Sequence, residues 1–344
     1  MNKNNTKILF VINKLSRGGA EGVFIKEAEE LSNLGYICEI YTLYPSNFKN
    51  LYDTKGYFNL IKKIKKDKIT HVYSTLDDAN FVAKIARIFT PFKLFCREAN
   101  ETFDKPLKFK IADVVLNFLV YKLVMVAGAV KNSYASYDPF HKSKMVVLYN
   151  GVEIQENTDN KKEPNNPIKI IAVGSFTPKK GFEDLITIFK DYVKNKNFVL
   201  EIIGNGILFD KISAKIKESE MEDKIKCLGA MDKGLLKNHY TNSDIFVLTS
   251  KKEGCPNVLL EAMSFGLAPI CFSVGAVPEI IENGLSGIVI APGDKKSFGE
   301  ALTSLLNNPQ KIIQMGKGAK ERVKDRFSFD MHLKKLLNML ELEI

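Results

Sequence analysis

Short apolar runs alternate with longer segments of helical spacing, and this alternation occurs twice along the 344-residue chain. Strands that are separated by helices pair in one direction, because each helix carries the chain back across the sheet. Each half is therefore predicted to form a doubly wound α/β domain around a parallel sheet. The predicted strands are 7–12, 37–43, 70–74, 93–96, 168–173, 198–203, 224–228, 245–248, 269–272 and 287–290.

A polar stretch separates the two halves. Residues 155–167 are rich in Asn, Lys, Glu and Pro, which is the composition of a linker. A chain of this length is also long for one hydrophobic core and sufficient for two. We therefore predict an N-terminal domain at 1–152, a C-terminal domain at 153–326 and a final helical segment at 327–344.

Composition argues against membrane-spanning, secreted and metal-binding classes of protein. No run of about eighteen apolar residues occurs, so no transmembrane helix is expected. The first residues lack an apolar signal core, and the five cysteines form no C-x-x-C pair, so a reduced cytoplasmic protein is the simplest interpretation. The four histidines show no metal-ligand spacing. A metal site is therefore not predicted.

The net charge of +10 favours anionic partners. Nucleic acid is the weakest of these, since the chain shows no zinc-finger, RNP or helix-turn-helix signature. Acidic lipid and phosphorylated substrates remain, and a lysine-rich solvated surface is the plain alternative.

Two carboxylates stand eight residues apart, at Glu253 and Glu261. The apolar run 245–248 predicts a buried strand before them, while residues 258–265 have helical spacing and Pro256 suits a first helical turn. The start of a helix exposes N–H groups and the positive end of a dipole, which together make a seat for phosphate. Carboxylates on both sides of that seat can hold the hydroxyls on both sides of a nucleotide-sugar diphosphate. The predicted seat comprises Gly254, Cys255, Pro256, Asn257 and Val258.

The segment resembles the E-x7-E motif of the retaining glycosyltransferases of family 4, and the resemblance is strongest from residue 247 to residue 294. It implies the GT-B fold, in which two Rossmann-like domains face a central cleft. It also implies that the last helix crosses back onto the first domain, which binds the acceptor. The second domain would bind the donor. Retention at the anomeric carbon and independence of metal are implied in the same way.

Three further loops carry parts of this resemblance. Gly18 and Gly19 open the first helix with spacing that is not a dinucleotide fingerprint, and they resemble a family loop that reaches the donor diphosphate. Lys180 matches the family's phosphate-binding lysine, but Ser175 stands where arginine is usual. Lys179 and Arg17 are candidates to replace that arginine. Gly204 follows a predicted strand and either lines the nucleotide pocket or makes a plain turn.

The function predicted from these residues is transfer of a hexose or N-acetylhexosamine from a UDP-sugar to a glycan or lipid-linked precursor, without a cofactor. Lys180 would stabilise the leaving diphosphate, Glu253 would hold donor-sugar hydroxyls and Glu261 would hold the ribose. Arg97 and Glu98 are assigned to the acceptor side, although an Arg–Glu ion pair would fit them equally well. A UDP-sugar 2-epimerase on the same fold and a non-catalytic nucleotide-sugar-binding protein remain as alternatives.

Basic residues in the first half predict peripheral contact with an anionic membrane at its cytoplasmic face. One group comprises Lys62, Lys63, Lys65, Lys66 and Lys68, beside apolar Leu60, Ile61 and Ile64. A second stretch, 105–126, alternates lysines with apolar runs. Lysines near such a surface contribute about 1 kcal/mol each. Ordinary amphipathic helices covering a sheet are the alternative interpretation.

Overall fold

The computed structural model describes residues 6–15, 19–44, 47, 49–156 and 163–343. The chain divides into two compact units. The first unit comprises Met1–Gly151 together with Asp330–Ile344, and the second comprises Val152–Phe329. The first unit is therefore built from two separate stretches of the chain.

Each unit contains a six-stranded sheet with helices between successive strands. The strands are β1 (Lys7–Ile12), β2 (Ile37–Thr42), β3 (His71–Thr75), β4 (Lys93–Glu98), β5 (Lys122–Met125), β6 (Met145–Val147), β7 (Ile168–Val173), β8 (Phe198–Ile203), β9 (Ile225–Gly229), β10 (Ile245–Leu248), β11 (Ala268–Phe272) and β12 (Ile288–Ile290). The helices are α1 (Gly19–Asn33), α2 (Thr54–Asp67), α3 (Asp77–Phe89), α4 (Leu107–Leu116), α5 (Gly128–Ala135), α6 (Phe182–Ile188), α7 (Phe209–Glu218), α8 (Lys233–Thr241), α9 (Asn257–Ser264), α10 (Val277–Ile280), α11 (Lys295–Leu306), α12 (Pro309–Phe327) and α13 (Phe329–Leu340).

The sheet of the first unit has the order β2-β1-β3-β4-β5-β6, and its strands pair in parallel. Because helices cover both faces of such a sheet, its central strands β1, β3 and β4 are almost entirely buried. Phe10 of β1 contacts Phe24 of α1 and Tyr73 of β3 through their rings. Leu336 and Leu340 of α13 belong to the same core cluster. The C-terminal helix is thus part of the first hydrophobic core.

The sheet of the second unit has the order β12-β11-β10-β7-β8-β9 and is also parallel. Ile170, Leu200 and Val247 lie in its core together with Phe272 and Phe298, whose rings meet edge to face. The prediction of two parallel, doubly wound α/β sheets is confirmed. The predicted strands 168–173, 198–203 and 245–248 have the observed bounds.

The predicted final helical segment 327–344 contains α13, which the extended residue Ser328 separates from α12. Val152 holds this extended residue in place, since its N–H donates to the carbonyl of Phe327 and its carbonyl accepts from the N–H of Phe329, both at 2.9 Å. The basic and apolar stretch 105–126 contains α4 and the short buried strand β5.

None of the helices formed by the described residues is long and apolar enough to span a bilayer.

Candidate functional site

The strand order of the second unit reverses between β7 and β10, which are neighbours in the sheet. From β7 the chain proceeds outward to β8 and β9, whereas β10 leads outward in the opposite direction to β11 and β12. In open α/β sheets the loops at such a reversal diverge and leave a crevice for ligands at the carboxyl ends of the strands. The loop after β7 carries Lys180, and the loop after β10 carries Glu253.

Backbone contacts fasten these two loops together. Gly181 has a left-handed φ of +65°, and a Cβ atom there would lie 2.1 Å from the carbonyl oxygen of Thr249. The Thr249 hydroxyl donates to the carbonyl of Gly181 at 3.0 Å, and the N–H of Lys251 donates to the carbonyl of Lys179 at 2.7 Å. Only glycine fits at position 181, so the close approach of the two loops depends on it.

This approach brings the ammonium group of Lys180 to 2.6 Å from Oε1 of Glu253. Both side chains stay partly exposed. A lysine ammonium has three N–H donors, so the bond to Glu253 leaves donors for a second anion. The site therefore presents a cation and a carboxylate side by side at the switch point of the sheet. The sequence predicted both residues as site residues but did not predict that they contact each other.

The predicted phosphate seat lies directly after Glu253. Helix α9 begins at Asn257, and its N-cap residue is Pro256, whose side chain makes no capping hydrogen bond. Gly254, Cys255 and Pro256 are buried, whereas Asn257 and Val258 are partly exposed. The positive end of the helix dipole is thus a few residues along the chain from the Lys180–Glu253 pair. Contact of these residues with a donor stays a prediction.

A second glycine, in the loop after β11, packs closely against the backbone of the loop that carries Glu253. Gly275 has a φ of +53°, and a Cβ atom there would lie 2.3 Å from the carbonyl oxygen of Glu253. The neighbouring Ala276 N–H donates to the carbonyl of Gly254 at 2.8 Å. The loop after β11 therefore holds the backbone of Glu253 in position.

Glu261 lies on α9, where its carboxylate accepts a hydrogen bond from the hydroxyl of Tyr240 at 3.2 Å. Tyr240 is on α8 and stacks on Phe265 with a ring-centroid distance of 5.4 Å. Burial raises the pKa of Glu261, while the Tyr240 hydrogen bond and the charge of Lys233 act in the opposite direction. Tyr240 therefore orients the carboxylate that was predicted to hold the ribose. No spacing in the sequence connects Tyr240 to Glu261, so sequence reasoning missed it.

The remaining donor-side residues are divided between the two units, and some of them lie outside the described residues. Ser175 is exposed in the loop after β7. Gly204 follows β8, and a Cβ atom there would lie 1.8 Å from the carbonyl oxygen of Gly174, so glycine is needed for packing. Gly19 begins α1. Gly18 and Arg17 lie outside the described residues.

Arg97 lies in a buried network of the first unit. One of its terminal nitrogens donates to both carboxylate oxygens of Glu27 at 2.9 Å, and the other donates to Oδ1 of Asn150 at 2.5 Å. The Nε2 atom of His332, on α13, lies 2.7 Å from Glu27. Glu27 thus ties α1 to β4 and to α13, and it balances the charge of Arg97.

Glu98, the next residue on β4, belongs to a different network. Both of its oxygens accept from the ammonium of Lys105 at 3.0 Å, and Asn80 donates to it at the same distance. Successive strand residues point to opposite faces, which separates Glu98 from Arg97. Burial raises the pKa of Glu98, and the charge of Lys105 opposes that shift. Arg97 and Glu98 therefore belong to separate buried networks and do not pair with each other, which suits a structural role for both, and acceptor contact by either residue stays a prediction.

Known proteins resemble this chain in sequence and in fold. The family model described as "Glycosyl transferases group 1" matches residues 153–322. N-acetyl-alpha-D-glucosaminyl L-malate synthase from Bacillus anthracis is 30% identical over 158 residues, which are 46% of this chain and 41% of that protein. Capsular polysaccharide biosynthesis glycosyltransferase CapM from Staphylococcus aureus is 24% identical over 313 residues, or 83% of this chain and 80% of CapM.

Among solved structures, Anabaena Alr3699/HepE in complex with UDP superimposes with a TM-score of 0.82 at 18% identity, covering 98% of this chain and 100% of that one. This likeness shows the fold, which is that of the GT-B glycosyltransferases. The chain aligns with only 41% and 45% of the length of the first two curated relatives that it matches. The match to the group 1 glycosyltransferase model falls within the second unit, and the site described above lies inside the matched residues.

Proposed function

We infer that the protein is a retaining glycosyltransferase of family 4 that works without a metal ion or a cofactor. It moves a hexose or N-acetylhexosamine from a UDP-sugar to a lipid-linked or cell-surface polysaccharide precursor. The observation that carries this proposal is the 2.6 Å Lys180–Glu253 pair, placed at the switch point of the sheet and beside the start of α9. The enzyme would act in the cytoplasm, peripherally at the inner face of the membrane.

The chemistry follows from where charge develops. As the glycosidic bond to the donor breaks, negative charge grows on the departing diphosphate, and a fixed cation nearby stabilises it. Lys180 can donate to that phosphate while it keeps its contact with Glu253, and the start of α9 adds the positive end of a dipole. Both groups act most strongly in the transition state, which is the condition for raising turnover.

The two carboxylates would hold the two sugar ends of the donor. Glu253 would accept hydrogen bonds from hydroxyls of the transferred sugar and offset the positive charge that builds at its anomeric carbon. Glu261, oriented by Tyr240, would accept from the ribose hydroxyls. Hydrogen bonds to a charged group contribute about 1.5–3 kcal/mol each.

The named relatives support the proposed classes of donor and acceptor. HepE was crystallised with UDP and with UDP-glucose, which supports a UDP-linked donor. CapM is named for capsular polysaccharide biosynthesis, which supports a glycan precursor as the acceptor, and AmsK of Erwinia amylovora is named for amylovoran biosynthesis.

A ligand screen followed by a product assay tests the proposal. A UDP-sugar that binds only the folded state should stabilise it, by about 2.7 kcal/mol at a hundred times its Kd. UDP release, with the anomeric configuration of the transferred sugar retained, is the expected result. Isomerisation of the donor sugar without transfer would identify an epimerase, and binding of UDP without turnover of any donor would identify a binding protein.

A further inference from the structure

Helix α4 presents an apolar face to solvent, while its acidic residue Asp113 is buried. Positions four residues apart lie on one face of a helix. One face contains Phe109, Asp113 and Asn117, and all three are buried. The opposite face, continued by the turn after α4, is apolar and exposed. Its residues are Leu107, Ile111, Val115 and Phe118, with exposed fractions of 71%, 57%, 59% and 65%.

The inward face is held by ionic contacts. Asp113 lies 2.5 Å from the ammonium of Lys84 and 2.7 Å from that of Lys105, and it accepts from the hydroxyl of Tyr137 at 2.8 Å. Removing such charges from water is costly unless they are well paired, as they are here. A helix at the surface of a globular protein has the reverse arrangement, with the apolar stripe inward and the charges outward. An apolar environment on the outer side of α4 would therefore stabilise the helix in this orientation.

The exposed apolar surface extends beyond α4. Phe103 precedes the helix and is exposed, as are Ile88 and Phe89 at the end of α3. Helix α3 packs beside α4 through the Lys84–Asp113 contact and through the rings of Phe81 and Phe109. We use the name α4 apolar face for Phe103, Leu107, Ile111, Val115 and Phe118. From Leu107 to Phe118 it is about 16 Å long.

The charges around this face are mostly positive. Lys108 is exposed, and Lys110 and Lys122 are partly exposed. The acids of residues 103–122 are Asp104, which is exposed, and Asp113, which is buried against Lys84 and Lys105. Lysines beside an exposed apolar stripe suit the boundary of an anionic bilayer, where apolar side chains enter the acyl region and ammonium groups reach the lipid phosphates.

Helix α2 carries four of the five lysines in the first group assigned to membrane contact, and it turns an apolar face inward. Its Leu60 and Ile64 are buried in the first unit. Lys63 forms ion pairs with Glu39 at 2.5 Å and with Asp67 at 2.8 Å. Leu60 and Ile64 are thus used in the core and are not available to a bilayer, and Phe58 is the large apolar residue of α2 that is exposed.

We propose that the α4 apolar face, with Lys108, Lys110 and Lys122 around it, is the surface by which this protein docks onto an anionic lipid bilayer. The purpose of this contact, which would be access to a lipid-linked acceptor, rests on the proposed function. The contact itself rests on the outward apolar residues of α4 and on the charges beside them.

Co-sedimentation with vesicles tests the surface. Wild-type protein should bind phosphatidylcholine vesicles that contain phosphatidylglycerol more tightly than vesicles of phosphatidylcholine alone. The variant Ile111→Ser/Phe118→Ser should bind the anionic vesicles at least about tenfold more weakly, because each apolar side chain that leaves water contributes a factor of that order. Ile207→Ser/Leu285→Ser, which alters exposed apolar residues of the second unit, is the matched control and should bind like wild type.

Charge variants compare the two helices directly. Lys108→Gln/Lys110→Gln should lower affinity for the anionic vesicles about tenfold and reduce its dependence on salt. Lys62→Gln/Lys66→Gln removes the same charge from α2 and should have a smaller effect. A larger effect of the α2 variant, or wild-type binding by Ile111→Ser/Phe118→Ser, would overturn the proposal.

Two further readouts complete the test. Sedimentation velocity without lipid should show the same mass for wild type and for Ile111→Ser/Phe118→Ser. A wild-type dimer that this variant dissociates would assign the face to a second copy of the chain and overturn the proposal. Stabilisation by UDP, measured without vesicles, reports on the donor site alone. Protein that binds vesicles without binding UDP would refute the proposed function and leave the docking surface standing.

Discussion

The two sheets have the same number of parallel strands, but they use charged residues in different ways. In the second unit, Lys180 and Glu253 form a partly exposed ion pair at the point where the strand order reverses. In the first unit the order reverses between β1 and β3, yet the charged residues Arg97 and Glu98 lie one strand further along, on β4.

The burial of those charges is the second difference. Arg97 is enclosed by Glu27 and Asn150, and Glu98 is enclosed by Lys105 and Asn80. Charges that remain accessible can bind a ligand, whereas charges that are fully paired in the interior hold elements of structure together. The comparison therefore teaches that a charged residue after a strand is a site candidate only when its partners leave it within reach.

The largest expected effect is on stability in the first unit. Arg97→Ala would leave Glu27 buried without its guanidinium partner, which costs about 3–5 kcal/mol in free energy of unfolding. Urea denaturation measures this loss. Lys180→Ala, at the accessible pair, should change the unfolding free energy by about 1 kcal/mol or less. Equal loss of stability in both variants would remove the distinction between the two units.

The next effect is on turnover. Lys180→Ala should lower kcat about 10²- to 10³-fold at saturating donor, since its charge is needed as the diphosphate leaves. Glu253→Ala should also lose most turnover. Lys179→Ala is the matched control, with a milder effect unless Lys179 replaces the arginine that is missing at position 175. Normal kcat in Lys180→Ala would contradict the assigned role.

A smaller effect is expected on donor binding. Glu261→Ala should weaken binding of the UDP-sugar by about 1.5–3 kcal/mol, the usual value of a hydrogen bond to a charged group. Titration calorimetry with UDP measures it. If Glu261→Ala bound UDP as tightly as wild type, the carboxylate would not contact the ribose.

Tyr240→Phe removes only the hydroxyl that orients Glu261, so donor binding should weaken by about 0.5–1.5 kcal/mol. The double variant Glu261→Ala/Tyr240→Phe should bind UDP no more weakly than Glu261→Ala, because both changes act through one carboxylate. Additive losses would show that Tyr240 acts independently of Glu261.

The smallest expected effect is on the pH dependence of folding stability in the unliganded protein. Burial raises the pKa of Glu261, so the folded state binds more protons than the unfolded state between the two pKa values. Stability therefore falls as pH rises through that window, and at neutral pH the buried charge is destabilising. Glu261→Gln should raise the melting temperature of the unliganded protein at neutral pH and leave it unchanged at pH values below the window. A lower melting temperature at neutral pH would contradict this sign.

Local patterns predicted most of the fold. The buried strands 168–173, 198–203 and 245–248 are mostly apolar, so their bounds were readable, and Pro256 indicated the start of α9. The contacts within the site were not readable, because Lys180 and Glu253 are 73 residues apart and Tyr240 and Glu261 are 21 apart. The same limit applies to Arg97, whose partner Glu27 lies 70 residues away.

Helix α4 shows a different limit. Sequence reasoning assigns the apolar stripe of a helix to the core, and the spacing of Leu107, Ile111 and Val115 would place that stripe inward. Asp113 reverses the orientation, because its partners Lys84 and Lys105 are supplied by other segments of the chain. Periodicity alone reports that a helix has two faces and does not report which of them is buried.

The discontinuous first unit has a consequence for the order in which the protein is made. Its core includes Leu336 and Leu340 of α13, and His332 of the same helix contacts Glu27. A ribosome synthesises the whole second unit before these residues appear. Domains usually complete their folding in the order of synthesis. Here the unit that begins first is completed last, because α13 supplies part of its hydrophobic core.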